Sequence, residues 1–293
     1  MGPTEHVGPT EHVGSAEGVG SPDAAAGPTA KIRATGVVRQ FGLGTRHVVD
    51  ALGPFDFTIG EGEFVCLVGP SGCGKSTFLR AVAGLVQPTA GSIEVSVAGS
   101  GLVPIAMVFQ DHGIFPWKTV EANVRFALEA RGVRRAEARR RTAHWLERLG
   151  LADFARAYPS ALSGGMRQRV GIARAFALDP EILLMDEPFA ALDAQLRQVL
   201  QDELLGIWQA EHRTVLFVTH SLEEALVLGD RVAVMSTRPG RLVRSVPVPF
   251  ERPRTGDVRD SPEFVELKAE LWGLLRHEVD SYLATVGHAH PAD

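Results

Sequence analysis

The sequence has little cysteine, no long apolar run and no excess of positive charge, and each shortage closes off a class of function. Two cysteines, Cys66 and Cys73, in 293 residues cannot build a disulfide framework and fit a reducing compartment. Lysine and arginine number 30 against 35 acidic residues, a formal charge of -5. A nucleic-acid footprint normally shows a clear basic excess, so no nucleic-acid partner is expected. No stretch approaches the roughly 18–20 apolar residues that span a bilayer. The longest, at 182–185 and 215–218, have the length of buried strands. The N-terminus is glycine-rich, with no basic segment followed by an apolar one, so it does not read as a secretory signal. A soluble chain is expected, whose membrane role, if it has one, comes through a partner.

An apolar fraction of 45% is enough for a sizeable core. Residues 1–30 stand apart as a tail, because GPTEHV at 2–7 recurs at 8–13 and decays into GSAEGV at 14–19. Such Gly/Pro/Thr/Glu units bury too little apolar surface to offset the entropy of ordering. His6 and His12 there read as solvated residues, with nothing to hold them as metal ligands. From residue 31, strands are predicted at 31–38, 55–59, 63–68, 92–97 and 105–109. Val120, Val124, Ala127 and Leu128 then fall on one helical face, and a second helix covers about 134–149. Alternation resumes with helix 164–178, closed by Asp179-Pro180, and strand 182–185. Helix 194–211, strand 214–218, a short helix opened by Ser221-Leu-Glu-Glu224, and strands 231–235 and 241–246 follow. The last helix opens at Ser261-Pro262, an N-cap followed by proline at the first helical position. Strands alternating with helices indicate a mainly parallel α/β sheet covered on both faces.

Three segments carry chemistry. Gly69-Pro70-Ser71-Gly72-Cys73-Gly74-Lys75-Ser76-Thr77 fits G-x-x-x-x-G-K-[ST] between an apolar strand and a helix. A chance match is expected on the order of once in a hundred chains of this length, so a nucleoside triphosphate site is the better reading. The glycines let successive N–H groups point into one cavity, Lys75 can reach the β- and γ-phosphates, and Ser76 can ligate Mg²⁺. A bulky adduct on Cys73, inside that loop, is expected to block nucleotide. The second segment is Ile182-Leu-Leu-Met-Asp186-Glu187-Pro188. Asp186 at the end of an apolar strand can hold Mg²⁺, directly or through water, which leaves Glu187 to polarise the attacking water. The third is Leu162-Ser163-Gly164-Gly165-Met-Arg-Gln168, where serine and two glycines open a long helix and so make a second anion cradle. One active site has no need of two cradles; complementary use between two copies would account for both, and a well-capped helix is the plainer alternative.

Across about 30–245 the sequence resembles the ABC ATPase family, whose signature is similar to LSGGMRQR at 162–169. That resemblance implies an α/β P-loop NTPase of the ABC type: a mainly parallel core sheet, an N-terminal antiparallel β part and an inserted helical subdomain. The implied division is a 1–30 tail, a 31–250 ATPase domain with its insert at about 111–162, and a 251–293 helical extension. By resemblance, Ser163 and Gly165 contact the γ-phosphate held by the opposite copy's Lys75, with Gly164 in the same cradle. Gln110 corresponds to the Q-loop glutamine that senses Mg²⁺ and water, Asp193 to the D-loop, and His220 to the switch histidine that contacts the γ-phosphate. Phe41 falls where the family places a ring against adenine; it also reads as a core residue. The implied ligands are ATP and Mg²⁺. The implied partners are a second copy arranged head to tail, separate transmembrane permease subunits and, indirectly, a solute-binding protein. The implied location is peripheral, on the cytoplasmic face of the cell membrane. Phe115-Pro-Trp117, Arg238-Pro-Gly-Arg241 and Ser261-Pro-Glu-Phe264 are similar to importers of nitrate, sulfonate, taurine and related solutes.

The arginines at 134, 135, 139, 140 and 141 read first as a solvated helix face laced with Glu137. Contact with a membrane subunit or anionic headgroups is the competing idea. Two other functions are less well served by the sequence. A non-transport ABC protein of DNA repair or translation would bring a second cassette, zinc modules or coiled coils. A P-loop kinase would not use the second cradle.

Overall fold

The structure is a computed structural model and describes residues 30–287 apart from Arg46, 100–102, His112, Ala191, Pro253 and Thr255. The repeat-bearing tail read at 1–30 therefore lies outside the described residues, except that Ala30 opens the first strand.

The chain begins with β1 (Ala30–Phe41), β2 (Val49–Leu52), β3 (Phe57–Gly60) and β4 (Phe64–Val68), then α1 (Lys75–Val82), β5 (Ala90–Val95) and β6 (Val103–Val108). A helical stretch follows: α2 (Val120–Ala130), α3 (Arg135–Arg148), two 3-10 turns at Ala152–Phe154 and Pro159–Ala161, and α4 (Gly164–Ala177). Alternation returns with β7 (Pro180–Asp186), α5 (Ala194–Glu211), β8 (Thr214–Val218), α6 (Leu222–Leu228), β9 (Arg231–Met235) and β10 (Leu242–Pro247). The chain ends in α7 (Gly256–Arg259) and α8 (Pro262–Gly287).

Two sheets result. β1 pairs antiparallel with β2, β3 and β5, and the larger sheet runs β10-β9-β4-β8-β7-β6. Every pairing in the larger sheet is parallel except that of the edge strand β10 with β9. This is the expected mainly parallel core with an antiparallel N-terminal part. β4, β7 and β8 are buried at every residue, which is why their central residues read as apolar runs.

Side chains alternate across the larger sheet with the period of two, and that alternation separates two cores. Val65, Leu67, Leu184, Leu216 and Ala233 face Phe78, Leu79 and Val82 of α1 and the small sheet. Phe64, Cys66, Val68, Leu183, Phe217 and Val234 face the opposite side, where α4, α5 and α6 pack. α1 and α4 therefore cover opposite faces of one sheet. The helices α2 and α3 join the α4 side through Val124, Leu128, Trp145 and Leu146, with Trp145 stacked on Phe176 at 5.0 Å.

Two local differences from the sequence expectations have simple causes, and one expectation on α3 holds. The helix closes ahead of Asp179-Pro180 as expected, but the next strand starts earlier than 182, because Pro180 opens β7 opposite Val103, a first strand position that needs no donated ladder bond. β2 was missed because its VDAL sequence is short and half exposed at the sheet edge. The basic run on α3 is laced with Glu137 as expected, since Arg140 and Arg141 both pair with it at 2.7 Å. Those two bonds hold the Glu137 carboxyl down at about 2.

The C-terminal helices are bound into the main core. Phe264 and Leu271 of α8 are buried among the α6 side of the sheet, and Ser261 caps α8 by accepting from the Phe264 amide. Just before them, the buried Arg254 guanidinium donates to the carbonyls of Leu226, Val227 and Gly229, while Arg252 donates to Leu228 and pairs with Asp230. Two arginines from beyond residue 250 thus satisfy the C-terminal carbonyls that α6 cannot pair by itself.

Candidate nucleotide site

Because β4, β6, β7, β8 and β9 run parallel, the loops that follow them emerge at one edge of the sheet, the side where open α/β sheets bind ligands. Gly69 to Gly74 leave β4 and lead into α1. Gly74 is the N-cap with φ 109°, and a Cβ there would lie 2.6 Å from the Ala51 carbonyl oxygen. Only glycine meets both conditions. The loop leaves the first amides of α1 free at a helix N-terminus, a ready site for phosphate oxygens. The Lys75 ammonium lies inside the curl, donating to the carbonyls of Gly69 at 2.7 Å and Pro70 at 3.0 Å. Ser71 and Gly72 are exposed at the tip, and Thr77 is half-buried in the first turn of the helix.

Cys73 corrects one expectation. Its thiol is turned into the core under Gly69, where a Cβ would come within 2.9 Å of Sγ, and only 1% of the residue is exposed. Burial raises its pKa despite Lys75 nearby. The residue lends its backbone to the loop and shields its sulfur. Cys66, read as core, is fully buried as well. Behind the loop, the turn 238–240 is wedged so closely that a Cβ on Gly240 would meet the Cys73 carbonyl oxygen at 2.1 Å.

The carboxylates come from β7. Asp186 is fully buried, and its Oδ1 accepts from the Ser76 hydroxyl at 2.7 Å. Its Oδ2 is buried with no hydrogen-bond partner, 3.8 Å from the Arg80 guanidinium. Burial raises the Asp186 pKa, against the pull of Ser76 and Arg80. A hydroxyl beside a carboxylate with one unpartnered oxygen is a donor set that suits a hard divalent cation such as Mg²⁺. Glu187 follows in the left-handed region at φ 46°, its amide still donating to the Val218 carbonyl at 3.0 Å. For a residue with a side chain that geometry costs about 1–3 kcal/mol. His220, two residues past β8, places Nδ1 3.3 Å from Glu187 Oε2. Gln110 lies two residues beyond Val108 of β6, the residue paired with Met185 just ahead of Asp186, and is exposed at the same edge. Asp186, Glu187, Ser76 and His220 are therefore brought together as the sequence reading required.

Phe41 ends β1 opposite Val49 and is 38% exposed, with the Arg39 guanidinium 4.4 Å over its ring. It is a surface platform and not a core residue. Ser163 caps α4, its Oγ accepting from the Met166 amide at 3.3 Å. Ser163 is exposed, Gly164 half-buried and Gly165 buried against Leu196 of α5, where a Cβ would come within 2.3 Å. This cradle belongs to the α4–α5 face, while the phosphate loop runs into α1 on the other. Asp193 is exposed and caps α5 by accepting from the Leu196 amide at 3.0 Å.

Two features were missed in the sequence. Ser221-Leu-Glu-Glu224 has capping-box spacing, and Ser221 does accept from the Glu224 amide. The Glu224 carboxylate, however, turns to the Thr219 hydroxyl beside His220. The second is Asn123, fully buried in α2, which accepts from the Phe115 amide at 2.7 Å and donates to the Phe115 and Lys118 carbonyls. It holds an aromatic surface of Phe115, Trp117 and Phe126 a few residues along the chain from Gln110, with Trp117 70% exposed. A polar residue on the inner face of an otherwise apolar helix was the available signal.

Known proteins share this sequence and fold. The family model described as "ABC transporter" matches residues 52–190. An ATP-binding protein of Brucella abortus is 50% identical over 231 residues, covering 78% of this chain and 88% of its own length. The nitrate import ATP-binding protein of Synechocystis is 45% identical over 243 residues, covering 80% of this chain and 91% of its own. The taurine import ATP-binding protein of Rhizobium johnstonii is 47% identical over 240 residues, covering 79% and 91%. Among solved structures, the dimeric bacterial ABC transporter cassette MJ0796 superposes with a TM-score of 0.67 at 31% identity, over 75% of this chain and all of that one. The chain belongs to the ABC transporter ATPases, in the group that includes the nitrate and taurine import ATP-binding proteins.

Proposed function

We propose that this ATPase energises the import of a small solute of the nitrate, sulfonate or taurine kind. It would work at the cytoplasmic face of the cell membrane, bound to separate transmembrane permease subunits that receive their solute from a binding protein. The named import relatives support the direction and the solute class. The exposed aromatic surface held by Asn123, which follows Gln110 in the chain, supports a docked membrane subunit. No helix among the described residues is long and apolar enough to cross a membrane, so the translocation path would come from that partner.

The working unit is a head-to-tail pair. On this reading residues 31–250 are the ATPase domain, 111–162 its inserted helical part, and the described residues from 251 to 287 a helical extension. Gly69 to Thr77 wrap the phosphates of ATP, Lys75 neutralises the β- and γ-oxygens, and Phe41 stacks on adenine. Ser76, Asp186 and Gln110 would hold Mg²⁺, which when bound offsets phosphate charge. The cradle of Ser163, Gly164 and Gly165 closes over the γ-phosphate in the partner copy, with Asp193 at the same seam. Glu187 takes the proton of the attacking water, and His220, hydrogen-bonded to Glu187, orients it toward the γ-phosphate. The 3.3 Å approach of Glu187 and His220, beside the Ser76–Asp186 bond, carries this reading.

The test is Glu187→Gln, studied by light scattering with and without ATP beside turnover of the unaltered chain. The expected outcome is an ATP-dependent dimer with turnover reduced at least about a hundredfold. Full activity in that variant would overturn the assignment.

A further inference from the structure

The loop that carries His220 is fastened by a buried chain of side chains that begins at another loop. Thr219 is 1% exposed, and its amide donates to the Leu67 carbonyl at 3.2 Å, just ahead of the phosphate loop. Its hydroxyl donates to Glu224 Oε2 and accepts from the Ser221 amide at 3.0 Å, so it spans His220 from both sides. Glu224, 7% exposed on α6, also bonds the Gln201 side chain and lies 3.5 Å from the Arg197 guanidinium. Gln201 and Arg197 belong to α5, and Arg197 reaches back to donate to the Leu192 carbonyl at 2.8 Å. Leu192 directly precedes Asp193, whose side chain caps α5.

We infer that Glu224 is a positioning residue that couples the 192–193 loop to His220 through Arg197 on one side and Thr219 on the other. The inference rests on the proposed role of His220 at the γ-phosphate. A buried carboxylate is a costly way to satisfy a single threonine hydroxyl. Its use here makes sense because its two oxygens face two neighbours at once, one accepting from the Thr219 hydroxyl and the other at ion-pair distance from Arg197. The Arg197 guanidinium lies at ion-pair distance from one oxygen beside the 192–193 loop, and the Thr219 hydroxyl donates to the other against the His220 backbone. When the partner engages Asp193, a shift of α5's first turn is passed by Arg197 to Glu224 and from there to the imidazole. Hydrolysis thus becomes sensitive to pairing through side chains that touch neither ATP nor the partner.

The experiment is steady-state ATP turnover of the full chain with Thr219→Val, Glu224→Gln and Arg197→Met, beside Thr219→Ser and His220→Ala. Displacement of a catalytic group by about 1 Å costs on the order of a hundredfold. The first two variants are therefore expected to lose at least about tenfold in kcat with KM for ATP within about twofold. Arg197→Met shifts kcat in the same direction, and Thr219→Ser restores it. Thr219→Val combined with His220→Ala turns over no more slowly than His220→Ala alone. A merely structural contact would lower the melting temperature and leave kcat intact, and that result overturns the inference. If the buried variants do not fold, Arg197→Met, altered from the half-exposed end, decides: an unchanged kcat refutes the coupling. An active His220→Ala would refute the reading of His220 and the coupling with it. An inactive His220→Ala beside fully active Thr219→Val and Glu224→Gln would refute the coupling alone.

Discussion

If each catalytic site is shared between two copies, two dead chains should rescue each other. Lys75→Ala removes the ammonium that sits in the phosphate loop on the α1 side. Ser163→Arg fills the exposed cradle on the α4 side and removes the cap bond to Met166, a loss of about 1 kcal/mol that leaves the chain folded. Each variant alone spoils both sites of its dimer. Mixed in equal amounts, half of the dimers carry one chain of each kind. In those, one site joins the unaltered Lys75 to the unaltered Ser163, and the other lacks both. About a quarter of all sites are then intact, so turnover should approach about a quarter of the wild-type rate. Measured at constant total chain against mixing ratio, phosphate release should rise from near zero, peak at equal amounts and fall again. A flat profile would mean that each chain serves its own site and would refute the pairing.

Two further outcomes follow from burial. Cys66 and Cys73 are sealed and their thiols shifted upward by burial, so little thiolate forms at pH 8. Iodoacetamide should label neither in the native chain and both in urea, by mass spectrometry; fast native labelling of Cys73 would contradict its inward orientation. Phe264→Ala empties a fully enclosed site between α8 and α6 and should cost about 3–5 kcal/mol in urea denaturation. A loss under about 1 kcal/mol would show that the extension is not part of the core.

Much of the site was legible because its chemistry is local. Gly74 and Lys75 share a single loop, Asp186 ends an apolar strand, and Ser163 opens a helix, so spacing alone carried the information. Residues acting across the fold were not legible. Arg254 is 25 residues from the Gly229 carbonyl it satisfies, and no local pattern marks an arginine as a helix cap at that distance. Ser221 and Glu224 show the intermediate case: the helix start was visible, but the turn of Glu224 toward Thr219 depends on the packing of α5 against α6. The inward turn of the Cys73 thiol likewise depends on Gly69 and the core beneath it.

The arginine caps on α6 also bear on the order in which a new chain becomes active. Synthesis delivers the phosphate loop, Asp186, the signature cradle and His220 first, and domains fold as they emerge. The helix that begins just after His220 receives its final donors only when Arg252 and Arg254 follow. Until then its last carbonyls face the interior without partners, at a cost of about 1–3 kcal/mol for each buried group. A prematurely released chain would hold every residue of the nucleotide site and still present His220 on an unfinished helix. Completion of the site is thereby tied to residues that are made after every residue of the nucleotide site.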